Sequence, residues 1–243
     1  MKEISDNFGQ SNIDHMPIDG IPMIEHTIER SLSVEQIDQF IAVGNTSTIE
    51  KLSNKYNERI TTVIEDTPDP IDRLYAGTLH LEHIENIMII PSNSPFCEAG
   101  DLQKALELIK KIEHFDMITL LISKDIFKKH FPDKKKVFLN LNKSKYAGIS
   151  VVFIKTRFLL NKQKAAGKVF RLRNSPLELL HLLGFKKIIK FILKSLTIDD
   201  IEDSFIQKYA CLNKIAVVDT ISLAADIVCE DDIALAASFL NSD

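Results

Sequence analysis

Short apolar runs alternate with segments of helical periodicity along the first half of the chain. Strands are predicted where apolar and β-branched residues are consecutive, at 39–44, 60–64 and 87–90. Helices are predicted where apolar residues recur every three or four positions, at 22–32, 48–56, 70–83 and 101–113. Strands and helices that alternate at this spacing indicate βαβ units and a largely parallel sheet.

The second half of the chain is less regular. It offers three further strands, at 117–122, 149–154 and 213–218, and two further helices, at 176–194 and 230–240. A basic stretch, FKKHFPDKKK, separates the first two of these strands. The pattern contains neither an internal repeat nor a low-complexity tract, so we expect one folded α/β protein.

Composition fits this class. The 243 residues are 45% hydrophobic and 26% charged, which is ordinary for a soluble globular protein and enough for one large domain. The first 20 residues lack an apolar leader core, and no run of about 18 apolar residues suggests a membrane span. The three cysteines are scattered and form no C-x-x-C pair. We therefore expect a cytoplasmic protein with reduced thiols, and neither a disulfide framework nor a zinc site.

The net charge of −4 conceals a strong segregation along the sequence. Residues 124–194 contain 19 Lys or Arg and three acidic residues, a charge of +16, which leaves −20 for the rest of the chain. The segment could be a solvated lysine-rich face, or it could bind phosphate, nucleic acid, anionic lipid or an acidic partner. Among partners, self-association ranks first because the two halves are complementary. Peripheral membrane contact remains possible, and nucleic acid is disfavoured because the segment has no recognised binding motif.

Four stretches resemble the MobA-like nucleotidyltransferases of the GT-A fold. PIDGIPMIEHTIERSL (17–32) is similar to the family's G-K-P-M-I-E segment, and IMIIPSNSPF (87–96) to a strand that ends in G-D-x-P. ADIVCEDDIALAASFL (225–240) is similar to D-V-D-x-P-E-D-L-x-x-A, and RNSPLELLHLLGFKKIIKFILKSLTIDDIE (173–202) to a helical insertion of some members. The resemblance implies a single three-layer nucleotidyltransferase-like domain over 1–243, with a mostly parallel sheet and a helical insertion at 174–210.

The family's phosphate loop is altered in this sequence. Members carry L-A-G-G followed by an Arg and a Lys, because backbone N–H groups and positive charge hold a triphosphate. The matching region here is ISDNFGQSNIDHM, in which Gly9 is the sole glycine and no Lys or Arg occurs from Glu3 to Glu29. The resemblance leaves Gly9 and His15 as remnants of nucleotide binding, and His is mostly neutral near pH 7.

The expected metal site has lost carboxylates. The aspartate of G-D-x-P falls on Asn93, and the second aspartate of D-V-D falls on Val228, whereas Asp226 is retained. Mg²⁺ is a hard ion that usually takes one or two carboxylates together with phosphate oxygens. Asn93 and Asp226 are thus a remnant metal site, with Asn93 also a remnant of nucleotide binding. We expect the two residues to lie close together at the carboxyl edge of a strand.

These changes leave two functions open. Either the protein is a homologue that has lost NTP-dependent catalysis and serves as a binding or scaffold protein, or it is an active nucleotidyltransferase with replacement ligands. In the second case it would use Mg²⁺ to move an NMP group from an NTP to a phosphorylated or cofactor substrate. We favour the first, and assign no catalytic residue.

Overall fold

The computed structural model describes residues 15–67, 69–172 and 176–241, together with their side chains except at 171, 172 and 176–181. In chain order the strands are β1 (Pro17–Ile18), β2 (Ile21–Pro22), β3 (Ile41–Gly44), β4 (Thr61–Ile64), β5 (Asn86–Ile89), β6 (Met117–Ser123), β7 (Leu139–Leu141), β8 (Ser144–Lys155) and β9 (Asn213–Val218). The helices are α1 (Met23–Leu32), α2 (Thr46–Tyr56), α3 (Pro70–Thr78), α4 (Ala99–Ile109), α5 (Lys124–His130), α6 (Thr156–Asn161), α7 (Gln163–Leu172), α8 (Pro176–Ile192), α9 (Ile198–Tyr209) and α10 (Glu230–Leu240).

The chain forms two compact units. The first comprises Met1–His80, Ile90–Leu108 and Ser222–Asp243, and the second comprises Leu81–Ile89 and Ile109–Ile221. The single nucleotidyltransferase-like domain over 1–243 stays a prediction. Within 15–67, 69–172 and 176–241, no helix is both long enough and apolar enough to cross a membrane.

The first unit is built on a parallel strand pair. β3 pairs with β4 in parallel, as the predicted βαβ pattern requires, with α2 as the crossover helix. Residues that include Ile49, Leu52 and Tyr56 of α2 are buried in one cluster with Ala42 of β3. The β1–β2 hairpin, which the pattern did not predict, turns at Asp19 and Gly20, both at positive φ.

The second unit contains a five-stranded sheet with the order β5-β8-β6-β9, and β7 pairs with β8. β8 runs antiparallel to β5, β6 and β7, whereas β6 and β9 are parallel. Four of these five strands therefore share one direction. The predicted α/β class with a mostly parallel central sheet is confirmed.

Helices cover the core of the second unit. Phe158 of α6, Val169 of α7 and Phe205 of α9 are buried in one cluster with Val152 and Ile154 of β8. The region 174–210, predicted to be a helical insertion, contains α8 and α9. Its status as an insertion stays a prediction.

Candidate nucleotide and metal site

A reciprocal pair of hydrogen bonds joins the loop that follows β5 to the segment that precedes α10. The side-chain nitrogen Nδ2 of Asn93 donates to the carbonyl oxygen of Ile227 at 2.9 Å. The backbone N–H of Ile227 donates in return to the carbonyl oxygen of Asn93, also at 2.9 Å. Because Asp226 precedes Ile227, the expected proximity of Asn93 and Asp226 is found. Their role as a remnant metal site stays a prediction.

The amide of Asn93 does something that an aspartate cannot do. An amide nitrogen donates to a carbonyl oxygen, whereas an ionised carboxylate only accepts. A carboxylate in this geometry would set an anionic oxygen against the oxygen of Ile227. The residue that the resemblance places at the metal position is therefore a hydrogen-bond donor in the loop structure.

One of the acidic residues that begin α10, Asp232, is also used structurally. Asp232 is 6% exposed, and its Oδ2 accepts the N–H groups of Val228 at 2.9 Å and Cys229 at 3.2 Å. This is the reciprocal half of a capping box at the start of α10. Val228, which the resemblance aligns with the second aspartate of D-V-D, exposes 51% of its surface. An apolar side chain thus faces solvent where the resemblance implies a metal ligand, while Asp226 is half-buried.

A buried carboxylate, that of Asp101, holds the segment that precedes α10 by hydrogen bonds. The sequence alone did not single it out. Asp101, in the first turn of α4, is 5% exposed and accepts the N–H and the hydroxyl of Ser222, both at 3.0 Å. The Ser222 hydroxyl oxygen in turn accepts the N–H of Glu98 at 3.1 Å. The other oxygen of Asp101, Oδ1, accepts from Lys104 at 3.0 Å. An acid in a helix's first turn was a weak signal for this role, because dipole complementation explains it equally well.

The remnants of the phosphate loop are only partly described. Gly9 lies outside the described residues. His15 is half-buried, and its Nε2 lies 3.2 Å from the hydroxyl of Thr48 in the first turn of α2. Its interaction is thus with a helix of its own unit, and its role as a nucleotide-binding remnant stays a prediction.

The N-terminus of α2 already holds a negative charge. The N–H and hydroxyl of Thr46 donate to the two carboxylate oxygens of Asp66, each at 2.9 Å. These hydrogen bonds hold the pKa of Asp66 below its ordinary value. A helix N-terminus favours an anion, and here a side chain of the chain itself supplies one.

The part of the chain that the structure describes shows no metal centre built from several side chains. Among the described residues, no group of three or more His, Cys, Asp or Glu side chains could hold a metal ion. A Mg²⁺ ion bound by one carboxylate and by phosphate oxygens needs fewer protein ligands, so this finding concerns only metal sites formed by protein side chains alone.

Comparison with known proteins identifies the fold. No family model matches the chain, and no curated protein matches it. A hypothetical transferase from Thermus thermophilus superposes with a TM-score of 0.75 at 17% identity, covering 94% of this chain and 93% of that one. A CMP:2-keto-3-deoxy-manno-octonic acid synthetase complexed with CTP gives 0.62 at 14%, covering 97% and 95%.

A third structure agrees with these two. The 4-diphosphocytidyl-2C-methyl-D-erythritol synthase from Anaerococcus prevotii superposes with a TM-score of 0.56 at 14% identity, covering 93% of this chain and 88% of that one. The chain has the GT-A-like nucleotidyltransferase fold. At these identities the comparison establishes the fold alone.

Proposed function

We propose that this nucleotidyltransferase-fold protein is a MobA-like homologue that has lost NTP-dependent catalysis and serves as a binding or scaffold protein. The observation that carries the proposal is the hydrogen bond from the Asn93 amide to the carbonyl oxygen of Ile227. The residue at the family's metal position is neutral, and its donor group stabilises the loop.

The chemistry of nucleotidyl transfer explains why this matters. Displacement at phosphorus depends on positioning the phosphates and on neutralising their charge, with Mg²⁺ and basic side chains supplying most of that charge. Replacing aspartate by asparagine removes a full negative charge from the position expected to hold Mg²⁺. A second negative charge is missing at Val228, an exposed residue that stands where the resemblance places another aspartate.

The competing function is an active nucleotidyltransferase that uses replacement ligands. The retained Asp226 favours it, because one carboxylate together with the phosphates of an NTP can hold Mg²⁺. Glu98 is a second carboxylate in the loop that contains Asn93. Such an enzyme would move an NMP group from an NTP to a phosphorylated or cofactor substrate.

Isothermal titration calorimetry separates the two functions. The four common NTPs are titrated into the protein with Mg²⁺ and, in parallel, with EDTA. We expect no metal-dependent binding, because two of the three carboxylates that the resemblance implies are replaced, by Asn93 and Val228, and only Asp226 remains. Binding that needs Mg²⁺ and is abolished in Asp226→Asn would overturn the proposal in favour of the active enzyme.

A matched control keeps this test specific. Asp231→Asn removes a carboxylate from the exposed first turn of α10 without touching the Asn93–Ile227 contact. An active site that depends on Asp226 would retain Mg²⁺-dependent binding in Asp231→Asn and lose it in Asp226→Asn. Loss in both variants would instead indicate a general effect of negative charge.

A further inference from the structure

Helix α8 changes direction at Gly184, where φ is 71° and ψ is 165°. The turns that follow, from Phe185 onward, have an inner face that packs on the core of the second unit. Ile188 and Phe191 contact that core, and Leu196 is 1% exposed just beyond the helix. These inner-face residues are the side of the helix that packs against the core.

The outer face of the same turns is also apolar. It consists of four large residues at intervals of four, three and one positions. The exposed fractions are 78% for Phe185, 42% for Ile189, 70% for Ile192 and 69% for Leu193. Residues at this spacing share one side of a helix. They form a continuous stripe, here called the 185–193 stripe. Single exposed apolar residues are ordinary, but a contiguous patch of several hundred Å² marks a binding surface.

Helical periodicity alone places Ile188, Ile189, Ile192 and Leu196 on one side of this helix, opposite the lysines, and favours packing of that side on the core or on a partner subunit over a membrane. In the structure Ile188 contacts the core and Leu196 is buried, whereas Ile189 and Ile192 are 42% and 70% exposed. Packing of these two residues on a partner subunit stays a prediction. Since α8 is apolar on two sides, it has one apolar face more than the core covers.

Lysines border the stripe on one side. Lys187 and Lys190 are used to hold α9: the Nζ of Lys187 donates to the carbonyl oxygen of Asp200, and the Nζ of Lys190 to its carboxylate, each at 2.7 Å. Lys186 lies next to the stripe on the helical surface, Lys194 lies at its end, and both are exposed. The 185–193 stripe and these lysines lie within residues 124–194, which carry a charge of +16 along the sequence.

We propose that the 185–193 stripe and its bordering lysines dock this protein on an anionic lipid surface. A helix that lies in the membrane interface buries its apolar face to about 5–10 Å and keeps its lysines at the phosphates. Phe185, Ile192 and Leu193 are the side chains that enter the lipid. The exposed ammonium groups of Lys186 and Lys194 attract an anionic surface over distances of about 8–10 Å at physiological ionic strength.

A second copy of the chain fits this face less well. In a two-fold dimer that packs antiparallel stripes on each other, the lysine-bordered edges of the two copies lie on the same side of the contact. Like charges would therefore line the contact. The stripe also falls short of the roughly 1,200–2,000 Å² in total that stable dimers bury. A lipid surface avoids both difficulties, because it is anionic and has no fixed size.

Vesicle co-sedimentation tests this proposal on the full chain. The vesicles are phosphatidylcholine alone, or phosphatidylcholine with about 30% phosphatidylserine to supply a negative surface. We expect binding to the anionic vesicles, little to the neutral ones, and a decline as salt is raised. The double variant Phe185→Ser, Leu193→Ser should lower the apparent affinity more than about tenfold, and Lys186→Glu, Lys194→Glu more than about fivefold.

Val137→Ser is the matched control. Val137 is 66% exposed and lies in the same basic segment but outside the stripe, so its replacement should leave vesicle binding unchanged. All the substituted side chains are exposed, and thermal unfolding verifies that each variant is folded.

Three results would overturn the proposal. Equal binding by wild type and the Phe185→Ser, Leu193→Ser variant, or no binding of wild type to anionic vesicles, would show that the stripe does not contact lipid. Sedimentation without lipid that reveals a dimer in wild type and a monomer in the same variant would assign the stripe to a second copy. Because no nucleotide enters the assay, its result does not depend on the proposed loss of catalysis.

Discussion

The amide nitrogen of Asn93 lies 2.9 Å from the carbonyl oxygen of Ile227, 134 positions later in the chain. The reverse hydrogen bond, from the N–H of Ile227 to the carbonyl oxygen of Asn93, has the same length. The loop after β5 and the segment before α10 are thus joined by one side-chain bond and one backbone bond. This contact sits where the sequence resemblance implies a metal aspartate, so its chemistry can be tested by restoring that aspartate.

Asn93→Asp should lower the free energy of unfolding by about 1–3 kcal/mol at pH 7, because a donor is replaced by a charged acceptor facing a carbonyl oxygen. That environment disfavours the charged form, so the folded-state pKa of the new carboxyl should exceed its unfolded value. The deficit should therefore shrink as pH falls through that pKa, when the protonated group can donate again. Urea denaturation between pH 7 and pH 4 measures this.

Asn93→Ala is the control for this variant. It loses the donor without adding charge, so its deficit should not show the recovery in acid. A variant Asn93→Asp that is as stable as wild type at pH 7 would contradict the assigned role of the amide.

The hydrogen bonds between Asp101 and Ser222 should also stabilise the segment that precedes α10. Asp101→Ala leaves the buried N–H of Ser222 without its acceptor, and should cost about 2–3 kcal/mol. Ser222→Ala removes only the hydroxyl, and should cost about 1 kcal/mol. The double variant should cost less than the sum of the two, because both changes remove the same hydrogen bond. Strict additivity in denaturant titrations would show that the two side chains act independently.

Asp200 should make α9 sensitive to acid. Burial raises the pKa of the Asp200 carboxyl, but hydrogen bonds from Lys190 and from the N–H and hydroxyl of Thr197 outweigh burial and hold that pKa below its ordinary value. A carboxyl with a depressed folded-state pKa contributes stability above its unfolded pKa of about 3.9, and that contribution is lost as pH falls through the folded value.

Asp200→Asn should therefore destabilise the protein by about 1.5–3 kcal/mol at pH 7, with the gap to wild type closing at the lowest pH values. Denaturation at pH 7, 5 and 3 would measure the gap. Asp199→Asn, an exposed neighbour in the same first turn, is the matched control and should change stability by less than about 1 kcal/mol. A gap for Asp200→Asn that is constant with pH would contradict the assignment.

The three thiols should differ in reactivity. Burial raises the pKa of the Cys97 thiol to about 12 and that of Cys211 to about 12. Both side chains are 0% exposed, whereas Cys229 is partly exposed. A thiol reagent at pH 8 should modify Cys229 first, because the thiolate is the nucleophile and needs access. Mass spectrometry of the native protein should find Cys229 labelled alone, and denaturant should expose the other two.

Cys229→Ser supplies the control for this experiment. It should remove the fast native reaction and leave two slow thiols. Rapid labelling of Cys97 in native Cys229→Ser would show that the loop from 93 to 98 opens far more readily than its buried contacts indicate.

The sequence determined the elements whose local signals agree with one another. β9 at 213–218 and α10 at 230–240 form where they were predicted. β9 is a compact apolar run, and α10 begins with three acidic residues that complement its dipole. The helix predicted for 70–83 ends instead at Thr78 and continues as a short 3₁₀ turn, Leu79–Leu81. Helix ends depend on the backbone partners of the last turn, which the apolar pattern does not encode.

Tertiary structure alone decided what the individual residues do. The sequence marked Asn93 as a change at a metal position, but its hydrogen bond to Ile227 depends on a loop brought back from the far end of the chain. The same holds for α8, which is apolar on two sides, so periodicity could not say which face the core would bury. The neighbouring elements determine which face is buried. Lys187 and Lys190 donate hydrogen bonds to α9, and Ile188 and Phe191 pack against the core. This arrangement left the 185–193 stripe in solvent because a helix can turn only one of two apolar faces toward a single core.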